Sequence, residues 1–258
     1  MTTYLDRILK DHRAIAQSDH RPLRDLTAAA MEMPPARGFA AALRGQSTLT
    51  VIAEVKRRSP SKGDLFADLD PAAVATAYQR GGASCLSVLT DTPDFGGSAA
   101  DLQAARNACT LPVLRKDFTV SERDVLDARI MGADCVLLIA AALDKSELLT
   151  FADVALSIGL DVLVEIHDES ELDIALRADA HIIGVNQRDL ITFRVDHERA
   201  ERMAGLIPAG VVRVAESGVR DRNDAIKLRA AGYDAVLVGE SLVTAADPAA
   251  AIAELLVP

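Results

Sequence analysis

Short apolar, β-branched runs recur along the chain, each followed at once by polar or charged residues, with helix-periodic stretches between them. The runs are Leu49–Glu54, Cys85–Thr90, Leu111–Arg115, Cys135–Ala140, Asp161–Ile166, His181–Asn186, Val211–Glu216 and Ala235–Gly239, eight in all. Pro71–Arg80, Glu122–Met131, Lys145–Ile158 and Arg222–Ala231 carry helical spacing, and glycine (Gly81-Gly82, Gly132, Gly159, Gly232) follows each at or near its end. A glycine just past a helix enters the left-handed region at little cost and so ends it. Near-continuous apolar strands alternating with helices predict parallel strands covered on both faces. Eight such units predict an α/β fold, a (β/α)8 TIM barrel over residues 49–258. A doubly wound open sheet uses the same units, but no G-x-G-x-x-G follows the first run.

Residues 1–48 precede the first strand. Tyr4, Leu5, Ile8 and Leu9 have helical spacing, Pro34-Pro35 interrupts, and Phe39–Leu43 reads as another short helix. This predicts an N-terminal helical extension packed on the barrel, too short and broken to build its own core. One domain over 1–258 is expected, without a fused segment.

Composition changes this picture in a few places. The net charge of −10 argues against a non-specific nucleic-acid binder, which needs a basic face. It leaves a phosphate ligand open, because backbone dipoles can hold one locally. The longest uncharged apolar run, Cys135–Leu143, is far short of the roughly 20 residues that span a bilayer. The start, MTTYLDRILKDHR, has no apolar core of signal-peptide type. A cytoplasmic protein without membrane contact is expected. Cys85, Cys109 and Cys135 are odd in number and unclustered, which predicts neither a disulfide framework nor a metal site. Cys85 and Cys135 are expected in the core. Oligomeric state is not written in any of these patterns.

Barrel active sites lie at the C-terminal strand ends, so the chemistry is read there. Glu54 and Lys56 are two apart and share a strand face. Burying both is costly unless they are paired or used; a strand end entering a solvated basic loop is the plainer alternative. The later ends carry Thr90 and Asp91, Lys116 and Asp117, apolar Ile139, Glu165 and His167, Asn186 and Arg188, Glu216 and Ser217, then Gly239 and Ser241. Any one polar residue could be a satisfied strand cap. Glu54, Lys56, Lys116, Glu165, Asn186 and Glu216 around one rim predict a shared catalytic pocket. Glu216-Ser217-Gly218 and Gly239-Glu240-Ser241 follow the last two strands, where barrels commonly bind phosphate; tight turns are the other use for their glycines. Lys116, near Lys56 and partly desolvated, is expected to have a lowered pKa and to act as a general acid near neutral pH. Its position equally allows a Schiff-base nucleophile.

Taken together, IAEVKRRSPSKG (52–63), SVLTD (87–91) with Phe95 and Gly97-Ser98, PVLRKDF (112–118), GADCVLLIAAAL (132–143), LVEIHDESEL (163–172), GVNQRDLITFRVD (184–196), VAESGV (214–219) and VGESL (238–242) resemble the indole-3-glycerol-phosphate synthase family of tryptophan biosynthesis. The resemblance implies ring closure of 1-(2-carboxyphenylamino)-1-deoxyribulose 5-phosphate, a small-molecule substrate, with loss of carbon dioxide and water. It implies no cofactor and no metal. Lys116 would be the general acid of ring closure, Glu165 would transfer a proton in the dehydration, and Glu54 would assist it. Lys56 would hold the substrate carboxylate, Asn186 and Arg188 would contact polar groups, and Glu216 would orient the lysines. Ser217, Gly218, Gly239 and Glu240 would bind phosphate, Phe95 and Phe118 would line the aryl pocket, and Ser59 and Pro60 would lie in a loop closing over the substrate. The chain departs from the family's usual pattern at Asp94, Arg123, Asp124 and Gln187. A Schiff-base aldolase of sugar phosphates and a non-catalytic sugar-phosphate-binding barrel are the alternatives. The opposed lysine and carboxylate groups speak against mere binding.

Overall fold

The computed structural model describes residues 3–60 and 62–258. Ser61 of the first-loop motif and residues 1–2 of the extension lie outside the described residues. Eight parallel strands close into a barrel: β1 (Thr50–Val55), β2 (Cys85–Leu89), β3 (Val113–Lys116), β4 (Cys135–Ile139), β5 (Asp161–Ile166), β6 (Ile182–Asn186), β7 (Val212–Glu216) and β8 (Ala235–Val238). Each strand pairs with its sequence neighbour, and β1 closes on β8 with Thr50 opposite Ala235. The expected runs shift by a residue or two at their ends. β3 begins at Val113 rather than Leu111, since Pro112 has no N–H to give the ladder.

Side chains alternate across the barrel wall. Val51, Ala53 and Val55 face the helices, whereas Ile52 faces the interior with Leu114, Leu163, Val214 and Leu237. Cys85 and Cys135 are fully buried in that inner layer. Continuing the alternation upward puts Glu54, Lys116, Glu165 and Glu216 in one ring above the apolar layers.

The N-terminal extension does more than lie on the barrel's side. Its first helix, α1 (Tyr4–Ser18), crosses the C-terminal mouth; α2 (Leu23–Glu32) packs on helix Glu122–Met131. The short α3 (Phe39–Leu43) plugs the opposite end, with Phe39 and Leu43 fully buried against Ile52 and Cys85. The Asp161 carboxylate at the start of β5 accepts the Ala40 N–H at 2.8 Å, satisfying one free donor of that helix's first turn. Among the described residues no helix is long and apolar enough to cross a membrane.

Candidate active site

A cavity of about 470 Å³ opens at the C-terminal mouth. Every residue given a catalytic or substrate-binding role borders it; Thr90, Asp91 and His167, also read at strand ends, do not. Glu54, Lys56, Lys116, Glu165, Asn186 and Glu216 form its floor. Ser59, Pro60, Phe95 and Phe118 line it, as do Arg188, Ser217, Gly218, Gly239 and Glu240.

The floor holds two groups of paired charges. Lys116 Nζ lies 2.8 Å from Glu165 Oε2 and 3.4 Å from Glu216 Oε2. Asn186 Nδ2 donates to Glu165 Oε1 at 3.1 Å, and the Asn186 Oδ1 accepts the Arg188 N–H at 3.0 Å. Lys56 donates to its strand neighbour Glu54, so the shared face read from their spacing is real and the pair is closed.

Two glycines leave space for these carboxylates. A Cβ on Gly184 of β6 would lie 2.0 Å from Glu216 Oε1 and 2.8 Å from Leu163 Cδ2. A Cβ on Gly239 would lie 2.2 Å from Glu54 Oε1. Gly184 has no counterpart among the residues singled out from the sequence. A glycine interrupting an otherwise β-branched strand is the signal that marks it.

The expected lowering of the Lys116 pKa is overturned. Burial does push it down, but Glu165, Glu216 and Glu54 together outweigh that and hold the ammonium charged well above its ordinary range. Lys56, the like charge invoked for the lowering, is turned to Glu54. The two carboxylates flanking Lys116 separate. Burial raises the Glu165 pKa, yet Lys116, His167 and Asn186 reverse this and carry it below the carboxylate range. Burial lifts Glu216, and although Lys116 opposes this, the neighbouring Glu165 and Glu54 help keep it raised. One carboxylate is thus held as base and the other is disposed to keep a proton.

The walls differ in character. Phe95 and Phe118, with ring centroids 6.3 Å apart, make an aromatic side, and His12 of α1 stands 5.3 Å from Phe118. Opposite, Ser217 (φ 64°) and Gly218 (φ 77°) turn sharply after β7, and the short helix Glu240–Val243 begins after β8. N–H groups of a helix's first turn lack intrahelical acceptors. Lys62 of the first loop reaches Glu240 at 2.6 Å, linking loop one to this end. Arg188 directs its guanidinium to the Phe193 carbonyl of its own loop at 3.1 Å.

Helix α1 supplies a wall that the sequence reading did not assign: Tyr4, Leu5 and Ile8 border the cavity. Asp94, one of the departures, holds this helix by accepting from Tyr4 Oη at 2.6 Å and Arg7 at 2.7 Å. At its other end Arg13 pairs with Glu147 at 2.7 Å. The remaining departures are structural here: Ser121 caps the helix by accepting the Asp124 N–H while the Asp124 carboxylate accepts from the Ser121 hydroxyl, Arg123 donates to the Arg21 carbonyl, and the Gln187 side chain donates to the Ser217 carbonyl.

His12, Asp91 and Asp117 also converge, and their ligand-type atoms lie within 4.8 Å of one another. Asp117 already accepts from Arg115 at 2.9 Å, from the Phe118 N–H at 2.8 Å and from Thr90. Asp91 accepts the N–H groups of Asp94 and Phe95. The cluster reads as a latch for α1, with Arg115 as its resident cation.

The chain matches the family model described as indole-3-glycerol phosphate synthase over residues 5–255. It is 52% identical over 254 residues to an indole-3-glycerol phosphate synthase of Streptomyces griseus subsp. griseus, covering 98% of this chain and 94% of that protein. A protein of the same name from Mycobacterium ulcerans is 49% identical over 256 residues, with the same coverages. Among solved structures, a thiamine phosphate pyrophosphorylase from Pyrococcus furiosus shares the fold at a TM-score of 0.61 and 17% identity, covering 80% of this chain and 93% of that one.

Proposed function

The chain belongs to the indole-3-glycerol phosphate synthase family, and on that premise we propose how its rim residues divide the work. It is a carboxy-lyase of tryptophan biosynthesis that closes the ring of 1-(2-carboxyphenylamino)-1-deoxyribulose 5-phosphate, releasing carbon dioxide and water. The aryl group lies between Phe95 and Phe118, and the phosphate lies at Ser217, Gly218, Gly239 and Glu240, where oriented N–H groups suit a dianion. Lys56 meets the substrate carboxylate, and Asn186 and Arg188 meet its polar groups. Ser59 and Pro60 cover the occupied cavity.

Lys116 gives a proton to the ketose oxygen as the ring carbon attacks. Departure of carbon dioxide returns the bonding pair and restores the aromatic ring. The new hydroxyl then leaves as water with a second proton, and Glu165, assisted by Glu54, takes up the proton that the carbon beside the nitrogen loses as the double bond forms. Glu216 orients Lys116.

The observation that carries this reading is Lys116 clamped between Glu165 at 2.8 Å and Glu216 at 3.4 Å. A lysine held charged carries a proton to give, whereas a Schiff-base nucleophile needs the neutral amine. The same reading supports a single functional domain working in the cytoplasm on a small molecule. The net charge of −10 argues against a nucleic-acid partner.

The test is indole fluorescence on mixing the protein with the carboxyphenylamino ketose phosphate. The chain has no tryptophan, so its own background is low. Product from the wild type, and a rate lower by about 10²-fold or more in Lys116→Met, is expected. Equal rates would remove Lys116 from the acid role, and no product from the wild type would overturn the reading.

A further inference from the structure

The reaction consumes a proton from outside. Attack on the ketose carbonyl turns C=O into C–OH and takes one proton. Carbon dioxide leaves without exchanging any. The hydroxyl departs as water with a second proton, and the carbon beside the nitrogen loses one as the double bond forms. Two protons enter and one leaves, so each turnover draws one net proton while the substrate fills the cavity.

His167 stands where such a proton can be kept. It follows β5 directly and lies behind Glu165, outside the residues bordering the cavity. One ring nitrogen, Nδ1, is 3.1 Å from Glu171 Oε2, and that oxygen also accepts the His167 backbone N–H at 2.7 Å. The other, Nε2, is buried and has no hydrogen-bond partner among the described residues. It lies 3.7 Å from Glu165 Oε1. Glu165 is itself almost wholly buried: Oε2 faces Lys116, and Oε1 faces Asn186 and His167. Glu171 retains 16% side-chain exposure, and His167 retains 11%. The imidazole therefore bridges a buried catalytic carboxylate and a carboxylate in touch with water.

We propose that His167 is the site's proton store, an imidazolium held between Glu165 and Glu171 that delivers the one net proton of each turnover through Glu165. The inference rests on the role given to Glu165 above. The Nε2 proton passes to Glu165 Oε1 and the ring becomes neutral with its Nδ1–H on Glu171. Glu165 passes a proton to Lys116, and water recharges the ring at its partly exposed edge after product leaves. His167 does not touch substrate, so it is a positioning residue acting through Glu165.

The surrounding charges fit a store. Burial lowers the His167 pKa, but Glu171 and Glu165 outweigh this and raise it above the ordinary 6.5, against a smaller opposing effect from Arg199. Asp168 also faces it from the start of the next helix, while Lys116 and Glu216 lie beyond Glu165. A raised histidine pKa keeps the proton on below that pKa and loses it as pH rises through it, so turnover falls on the alkaline side.

The experiment measures kcat and KM against pH for the wild type, His167→Gln and Glu171→Gln, with thermal melts of each. The glutamine at 167 still bonds to Glu171 but holds no transferable proton. Its expected kcat is lower by about 10-fold or more with KM within about twofold, its alkaline limb is lost, and added imidazole restores part of the rate. Glu171→Gln removes an anion and shifts the limb to lower pH. Wild-type kcat with an unchanged limb in His167→Gln overturns the proposal. So does a loss that imidazole leaves unrelieved, or an unmoved limb in Glu171→Gln. In those cases indole product from the wild type leaves the family reaction standing; its absence removes both.

Discussion

Gly184→Ala isolates one consequence of the site's packing. The added methyl would stand 2.0 Å from Glu216 Oε1, and ordinary contact begins at 3.4 Å, so the carboxylate must retreat by roughly 1.4 Å. It has little room, because Glu216 is buried and its other oxygen faces Lys116 at 3.4 Å. The atoms met are side-chain ends (Glu216 Oε1 and Leu163 Cδ2) and not backbone, which keeps the folding cost near the low end of overpacking, about 1 kcal/mol. That corresponds to about 2–4 °C in melting temperature for a chain of this size. Catalysis is more sensitive, since a misplacement of about 1 Å can cost about 10²-fold. The variant should therefore fold and melt nearly normally, bind substrate with a similar KM, and lose about two orders of magnitude in kcat. Gly205→Ala is the control: among the described residues a Cβ there meets nothing within 4 Å, and its φ of −72° suits alanine. Steady-state kinetics by indole fluorescence beside thermal melts decide the matter. A Gly184→Ala enzyme with wild-type kcat would show that the position of Glu216 does not matter, and the reasoning would fail.

Glu216→Gln tests the electrostatics. A carboxyl whose folded pKa is raised contributes stability below its unfolded pKa and loses it as pH rises through the folded value. Glutamine has no such loss, so the variant's melting temperature should gain on the wild type from mildly acidic to mildly alkaline pH while its kcat falls; a constant difference would refute the raised pKa. Asp94→Ala removes both anchors of the N-terminal end of α1, Tyr4 and Arg7, and should raise KM several-fold with little change in kcat. Loss of kcat alone would place α1 in the chemistry and not in the wall. Gly218→Ala forces a side chain into a backbone with φ of 77° and onto Val195 Cγ1 at 2.6 Å. Inhibition by inorganic phosphate, measured as an inhibition constant, should weaken in this variant, and unchanged inhibition would separate that turn from phosphate binding.

What the sequence alone determined follows from local rules. Strand and helix periodicities report backbone dihedrals and which face a side chain takes, so eight units and a polar rim were legible before any coordinates. The pairing of Glu54 with Lys56 was legible for the same reason, since two residues on one strand face are neighbours whatever the rest of the chain does. Tertiary structure decided everything that depends on approach between strands distant in sequence. Lys116 reads alone as a lysine whose pKa desolvation should lower; only closure of the barrel brings Glu54, Glu165 and Glu216 from three other strands around it and reverses the sign. Gly184 looks like a weak point of β6 until Glu216 of the next strand lies across it. The extension has helical spacing, but its two opposite tasks, α1 as cavity wall and α3 as plug, come from where the barrel's open ends lie. Periodicity encodes orientation about one element's axis, whereas protonation state and available space are sums over neighbours that only the closed fold assembles.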